Sequence, residues 1–142
     1  MLRTNGRNWG MIVPLMLLLA CGGHPEPREP SPAGLTGVNW RLVTLGEISP
    51  VQSSTGIDLS LLLTDNREAS GYSGCNQFRG TYTQNGDTLR FGPLTSTRVA
   101  CVGSQRLEQR YFEVLAAANR YQVTPDSLTL FQGKAPIAIY KR

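Results

Sequence analysis

Hydrophobic and polar residues alternate along several short stretches of this chain, which is the pattern of half-buried β-strands. The first stretch, residues 38–45, places Trp40 and Leu42 on one face. Asn85 and Gly86 separate two later stretches. Because an Asn-Gly pair accepts positive φ angles, it predicts a hairpin with a type I′ turn. The predicted strands are 38–45, 57–63, 78–83, 88–91, 121–123, 127–131 and 137–140.

One stretch instead follows the period of an α-helix. Leu107, Tyr111 and Leu115 recur every four residues and form an apolar stripe. Ser104 is placed to begin the helix as its N-cap, and Asn119 is placed to end it. One helix among many short strands predicts an α+β fold: an antiparallel, curled or partially barrel-like β-sheet around one main helix.

The N-terminal segment has the pattern of an export signal. Arg3 and Arg7 precede an apolar run over residues 11–19. This run is shorter than the roughly 20 residues that span a bilayer, which favours a removable signal peptide. Residues 18–20 then lead into Cys21, an arrangement that resembles a bacterial lipobox. The sequence predicts a signal peptide over 1–20 and lipidation of Cys21; an ordinary secretory signal with a free Cys21 thiol is the alternative.

The segment after Cys21 predicts where the protein is held. Gly22 stands where an aspartate would argue for retention at the inner membrane. The resemblance to Gram-negative lipoproteins therefore implies a lipid anchor in the outer membrane, facing the periplasm. Residues 24–32 contain four prolines at near-alternate positions. Such a segment prefers extended polyproline II, so residues 21–34 are predicted to be a tether and 35–142 a single domain.

The net positive charge of the chain becomes small once the predicted signal peptide is removed. The chain has 14 basic and 10 acidic residues, a formal charge of +4. Without Arg3 and Arg7 the count is 12 against 10, which leaves +2 for residues 21–142. This small, dispersed charge argues against a nucleic-acid partner.

The centre of the predicted domain carries a more specific pattern. It reads Gly-Cys-Asn-Gln-Phe-Arg-Gly over residues 74–80, followed by Thr-Arg-Val-Ala-Cys over 97–101 and a helix with Glu108 and Phe112. This order resembles the META domain, the family that includes the HslJ heat-inducible lipoproteins. The resemblance implies an α+β domain, an envelope location and no established catalytic activity. Val99 stands where the family often has methionine, and we expect it to be buried. The motif residues are Gly74, Cys75, Asn76, Gly80, Thr97 and Cys101.

Cys75 and Cys101 are the only thiols in the predicted domain. An exported protein meets an oxidising compartment, which favours a disulfide between them. Two buried free thiols are the alternative. Asn76 has two interpretations: it projects its amide to a ligand, or it bonds backbone in a turn. We prefer the turn, which is the commoner use of asparagine beside a bend.

Candidate catalytic chemistry is sparse. The only histidine, His24, lies in the predicted tether, so neither a cysteine nor a serine nucleophile has a histidine base in the domain. We therefore expect no enzyme activity, no catalytic residue, no cofactor and no metal. The acidic residues that a glycosidase would need are more typical of solvated turns; the candidates are Asp58, Asp65, Glu68 and Asp87.

Three functions follow from these observations. The leading hypothesis is a non-enzymatic, lipid-anchored envelope lipoprotein that supports envelope integrity or stress tolerance. A second is a module that binds a small ligand such as an acyl chain or a glycan. A third is a module that presents a strand edge to an envelope protein partner. The aromatic side chains that would line a ligand pocket are better explained as core; they are Tyr72, Phe78, Tyr82, Tyr111 and Phe112.

Overall fold

The computed structural model describes residues 34–142. The predicted signal peptide and nearly all of the predicted tether, Cys21 included, lie outside the described residues. The described chain forms one antiparallel sheet of eight strands that closes into a ring, with one helix between the fifth and sixth strands. The elements are β1 (Asn39–Leu45), β2 (Ser60–Leu63), β3 (Glu68–Tyr72), β4 (Gln77–Asn85), β5 (Thr88–Ser96), α1 (Gln105–Ala117), β6 (Arg120–Val123), β7 (Ser127–Gln132) and β8 (Ala135–Lys141).

The ring closes because β8 pairs with β1. Their register runs from Arg41 opposite Lys141 to Leu45 opposite Ala138. The α+β prediction is confirmed, and the closure is complete where the sequence pattern predicted a curled or partial barrel. Closure pairs β1 with β8, so the first and last strands of the sheet are not left as free edges.

The inside of the ring is filled by side chains. Trp40, Tyr82 and Tyr140 are essentially inaccessible to solvent, and a belt of leucines surrounds them. Burial raises the pKa of the Tyr140 phenol well above its usual value, so this hydroxyl stays protonated. It donates to the Tyr111 hydroxyl at 3.2 Å, and Tyr111 donates to the Ser60 carbonyl at 3.2 Å. The buried phenols are therefore paired, as a stable core requires.

The predicted helix is confirmed, and its apolar stripe faces this core. Tyr111, Val114 and Leu115 are its buried residues. Phe78 on β4 makes edge-to-face contacts with Tyr111 at 5.9 Å and with Phe112 at 5.6 Å between ring centroids. Within residues 34–142, no helix has the length and apolarity to cross a membrane.

The joint between β5 and β6 is short. Thr88 opposite Arg120 is the only residue pair in this ladder. Two backbone hydrogen bonds flank it: Leu89 donates to the Asn119 carbonyl at 3.3 Å, and Tyr121 donates to the Asp87 carbonyl at 3.0 Å. Beyond this joint, β5 pairs only with β4, and α1 packs beside it.

The hairpin between β4 and β5 is confirmed, but its predicted type I′ turn is wrong. Asn85 stays in β4 and pairs with Thr88, so Gly86 and Asp87 form the two-residue loop. Gly86 has φ of 56° and neither Asn85 nor Asp87 has a positive φ. Positive φ at the first loop residue alone is the pattern of a type II′ turn.

The strand β3 does not appear among the predicted strands. Its sequence, Glu-Ala-Ser-Gly-Tyr, has the glycine that usually interrupts a strand. In the fold, Gly71 is required because neighbouring strands lie too close to leave room for a side chain. A Cβ on Gly71 would lie 2.0 Å from the Ser60 carbonyl oxygen and 2.8 Å from the Phe78 ring.

Candidate functional site

The Gly-Cys-Asn motif forms a buried bend between β3 and β4. Gly74 has φ of 98°, a backbone conformation that side chains other than glycine rarely adopt. A Cβ there would lie 3.1 Å from Leu59 Cδ1. This turn presents Cys75 and Asn76 to the loop that follows β5.

The Asn76 side chain makes four hydrogen bonds to that loop and to α1. Its Oδ1 accepts from the Val99 N–H at 2.7 Å and from the Thr97 hydroxyl at 2.9 Å. Its Nδ2 donates to the Val99 carbonyl at 3.2 Å and to Glu108 Oε2 at 3.1 Å. Both donors and both acceptor sites of the amide are thus used, as its near-complete burial requires.

The two bonds between the Asn76 side chain and the Val99 backbone have the same pattern as the bonds between two paired residues of an antiparallel sheet. Thr97 donates its N–H to the Gln77 carbonyl at 3.0 Å, which is the last backbone bond of the β4–β5 ladder. The amide of Asn76 then takes the place of the next peptide group of β4. The expected turn role therefore describes Asn76 only in part, because its side chain also bonds the residues that follow β5.

Ser73 and Glu108 complete the arrangement. The Ser73 hydroxyl donates to Glu108 Oε1 and accepts from the Asn76 N–H at 3.3 Å. Glu108 is in the first turn of α1, so its two oxygens bind the helix to the bend. We call the set Ser73, Asn76, Thr97, Val99 and Glu108 the Asn76 clamp. Ser73 was not predicted to have a role, since nothing in the local sequence distinguishes it from a solvated serine.

The predicted disulfide is confirmed. Cys75 and Cys101 are joined, with an S–S distance of 2.02 Å and a Cα–Cα distance of 5.8 Å. The alternative of two buried free thiols is wrong. The bond closes a loop with a sequence separation of 26 and reinforces covalently the contact that Asn76 makes through hydrogen bonds.

Five of the six motif residues lie together at the clamp, and Gly80 does not. It is on β4 opposite Leu94, next to a bulge in the β4–β5 ladder. A Cβ on Gly80 would lie 2.5 Å from the Pro93 carbonyl oxygen. Gly80 therefore allows two strands to approach closely, which is a different role from that of the clamp.

Ser104 occupies the predicted N-cap position, but its hydroxyl does not bond the helix. It bonds the Ser54 hydroxyl and lies 3.4 Å from the Gly74 carbonyl oxygen. It thus connects the start of α1 to the loop before β2 and to the motif bend. A local cap was expected because only the neighbouring residues were visible in the sequence.

The expectation that Val99 is buried is wrong, since its side chain is 62% exposed. The loop curves around Asn76 and turns the Val99 backbone inward, which leaves the side chain outside. Val102 in the same loop is 97% exposed. The two valines therefore add exposed apolar surface beside the disulfide, although single exposed apolar residues are normal.

A groove lies between this loop and α1, with a volume of about 360 Å³. Residues 96–100 form one wall, and Gln105, Gln109 and Phe112 lie along the other, with Asn76 and Glu108 between them. A cleft of about 420 Å³ shares Ser96 and Thr97 with this groove and contains Arg79. A cleft of about 400 Å³ at the β5–β6 joint contains Asp87, Arg120 and Lys134.

The acidic residues considered for catalysis are dispersed. Asp58 forms an exposed ion pair with Arg41 at 3.7 Å, and Asp65 accepts from the Thr36 hydroxyl at 2.6 Å. Glu68 is exposed. Asp87 pairs with Arg120 at the β5–β6 joint. Among residues 34–142, no three histidine, cysteine or acidic side chains lie close enough to hold a metal ion.

The fold and the motif together define a small α+β domain in which a closed antiparallel ring carries a disulfide-linked Gly-Cys-Asn bend. The chain belongs to the META domain family, whose profile matches residues 33–142.

Two solved structures are similar to the chain. An NMR structure of a protein from Burkholderia xenovorans has 27% identity and a TM-score of 0.63, covering 76% of this chain and 83% of that one. A second NMR structure has 26% identity and a TM-score of 0.59, covering 75% and 90%. No curated protein matches the chain significantly.

Proposed function

We propose that this protein is a non-enzymatic lipoprotein, anchored through lipid on Cys21 and carrying its META domain in the periplasm. The observation that carries the proposal is the Cys75–Cys101 disulfide. Structural disulfides persist in oxidising compartments such as the periplasm, and are rare in the bacterial cytosol. A disulfide in the domain and a lipobox-like Cys21 point independently to export.

The anchor proposed here is in the outer membrane, since Gly22 follows Cys21. The proline-rich segment then holds the domain away from the lipid surface. Support of envelope integrity or stress tolerance is the role proposed for it. The dispersed acidic residues and the absence of histidine from residues 34–142 support a non-enzymatic role.

Membrane fractionation of cells that express Cys21→Ser tests the anchor. We expect the wild-type chain in the outer-membrane fraction and labelled by palmitate, and the variant in the soluble periplasmic fraction without label. Cys75→Ser is the matched control, and it should keep both the label and the membrane location. A Cys21→Ser chain that still fractionates with the outer membrane would contradict the anchor.

Deletion of the gene tests the envelope role separately. We expect greater sensitivity to detergent and to heat, restored by the wild-type chain and not by Cys21→Ser. Equal survival of the deletion strain under both stresses would contradict a supporting role without bearing on the anchor.

A second function, a protein-interaction module, is favoured over the binding of an acyl chain inside the ring. Side chains such as Trp40, Tyr82 and Tyr140 fill the interior. The free side of β5 instead leaves a strand edge open beside α1. An open edge next to a filled core suits an extended polypeptide partner.

A further inference from the structure

The residues after β5 have an alternating pattern of bonded and unbonded backbone groups. Thr97 and Val99 bond inward, to Gln77 and to the Asn76 side chain. The backbone groups of Arg98 and Ala100, between and after them, make no hydrogen bond within the described part of the chain. Ser96 faces the same way as these two, because antiparallel ladders alternate and Thr97 already faces β4. We call residues 96–100 the outer edge.

The outer edge thus repeats with the period of a β-strand. Its free N–H and C=O groups recur at every second residue, at Ser96, Arg98 and Ala100. The Asn76 clamp holds the inner side of the same segment through Thr97 and Val99. A segment with one bonded side and one free side is the template to which another strand adds.

Space for that strand is present on the free side. The outer edge forms one wall of the 360 Å³ groove, and α1 forms the other. Phe112 is half-buried there against Phe78 and offers an apolar surface. Gln105 and Gln109 are exposed along the same wall and supply amide groups at its rim.

The charges beside the groove favour an acidic partner. Within residues 34–142, Arg98 in the groove and Arg79 in the adjoining cleft form no ion pair. Glu108 lies on the groove floor, but both its oxygens already accept hydrogen bonds, from Ser73 and from Asn76. The guanidinium groups are therefore the free charges, and they are suited to carboxylates.

We propose that the outer edge binds an extended acidic peptide segment of another protein, which adds as a β-strand in the groove between residues 96–100 and α1. This inference rests on the interaction role proposed above and names its site and the chemistry of its partner. The chain's own tether is a poor occupant, because four of residues 24–32 are prolines and have no N–H to donate.

Backbone amide NMR of the full chain in detergent micelles tests the proposal. The probe is a capped hexapeptide of alternating valine and glutamate. We expect its addition to shift the amides of Ser96, Arg98 and Ala100 and those of α1 that face the groove. The same peptide with N-methyl groups on every second residue should bind weakly, since it cannot complete the ladder.

Ala100→Pro tests the ladder from the protein side. Proline removes one N–H that has no partner in the fold, so the fold should be kept while one hydrogen bond to the peptide is lost. One hydrogen bond corresponds to about fivefold weaker binding. Gln52→Pro is the matched control, because Gln52 is also exposed, lies in a loop and has an unbonded N–H. Arg98→Glu should weaken binding further and remove its salt dependence.

Each contrary outcome bears on a stated part of the proposal. No shift at millimolar peptide would overturn both the outer edge and the interaction role. Shifts confined to another edge would overturn this site and leave an interaction role. Equal binding by Ala100→Pro, or the same shifts with an acidic oligosaccharide, would overturn strand addition. None of these results touches the Cys21 anchor, which membrane fractionation tests by itself.

Discussion

The two ends of β5 are held in different ways. At its start, β5 meets β6 through one residue pair, Thr88 opposite Arg120, and two flanking backbone bonds. The exposed Asp87–Arg120 ion pair and the part-buried Tyr121 hydroxyl support this joint. At its end, where no further strand follows, the buried Asn76 clamp and the disulfide hold the chain.

The difference shows that a sheet edge can be secured by side chains in place of a ladder. A buried amide with four partners has a large cost if it is removed, because several groups lose their bonds at once. An exposed ion pair is worth little, because solvent screens it and ordering two long side chains opposes it. We therefore expect stability to depend strongly on the clamp end and weakly on the joint.

Loss of the disulfide should have the largest effect. For a loop with a sequence separation of 26, chain entropy predicts that Cys75→Ser with Cys101→Ser lowers the free energy of unfolding by roughly 3–4 kcal/mol. Urea unfolding of the double variant measures it. Cys21→Ser is the control and should unfold like the wild type. A loss below about 1 kcal/mol would mean that the hydrogen bonds alone hold this end.

Asn76→Ala should have the second-largest effect. It should lower the free energy of unfolding by about 3 kcal/mol, because Val99, Thr97 and Glu108 lose hydrogen-bond partners around the buried Asn76. Urea unfolding again measures it. Asn85→Ala, at an exposed position of the hairpin, should change stability by less than about 0.5 kcal/mol. If the two alanine variants had equal stability, the clamp would not be the stronger end.

Tyr121→Phe should have an intermediate effect at the joint. Its hydroxyl donates to the Gly86 carbonyl at 3.0 Å and accepts from Gln84 at 3.1 Å, so its loss should cost about 1 kcal/mol. Tyr72→Phe is the control, since the Tyr72 hydroxyl has only an exposed bond to Thr55. An equal loss in both variants would show that the joint gains nothing from Tyr121.

The same tyrosine makes a pH prediction. Burial, ahead of its neighbours, raises the pKa of the Tyr121 phenol above 10, so the unfolded chain ionises first. Its contribution to stability is complete below pH 10 and falls as the pH rises above it. Chemical unfolding at pH 9 and pH 11 should show a smaller decline for Tyr121→Phe than for the wild type. A steeper decline in the variant would contradict this sign.

Arg120→Ala should have the smallest effect, about 0.5 kcal/mol or less, because both members of its ion pair are about half exposed. The loss should shrink further in 1 M salt. Arg90→Ala is the control, because Arg90 is an exposed arginine of β5 that forms no ion pair within residues 34–142. A loss as large as that of Asn76→Ala would reverse the comparison between the two ends.

Local patterns predicted the parts of the fold that depend on neighbouring residues. Alternation found β1 around Trp40, and the spacing of Tyr111 and Leu115 found α1. The strand β3 was missed because its Gly71 is required by contact with Ser60, a residue on another strand. Ring closure was not predictable in full, since it depends on Arg41 meeting Lys141 across the whole domain.

The candidate site likewise has parts that the sequence predicted and parts that it did not. The disulfide was predicted because only two thiols were available for it. The Asn76 clamp was not predicted, because the partners of Asn76 come from two other segments of the chain. One of these partners, Glu108, had no predicted role. Val99 was expected to be buried because it stands where the META family often has methionine, but its backbone turns inward to bond Asn76 and its side chain is exposed.

The order of strands in the ring also bears on how the protein folds. Because this order repeats the order in the chain, seven of the eight ladders join strands that are consecutive in sequence. Only the β1–β8 ladder joins positions as distant as Arg41 and Lys141, which are 100 residues apart. Contacts of high sequence separation slow folding. The first strand therefore cannot complete its pairing until β8, the last strand in the sequence, is available.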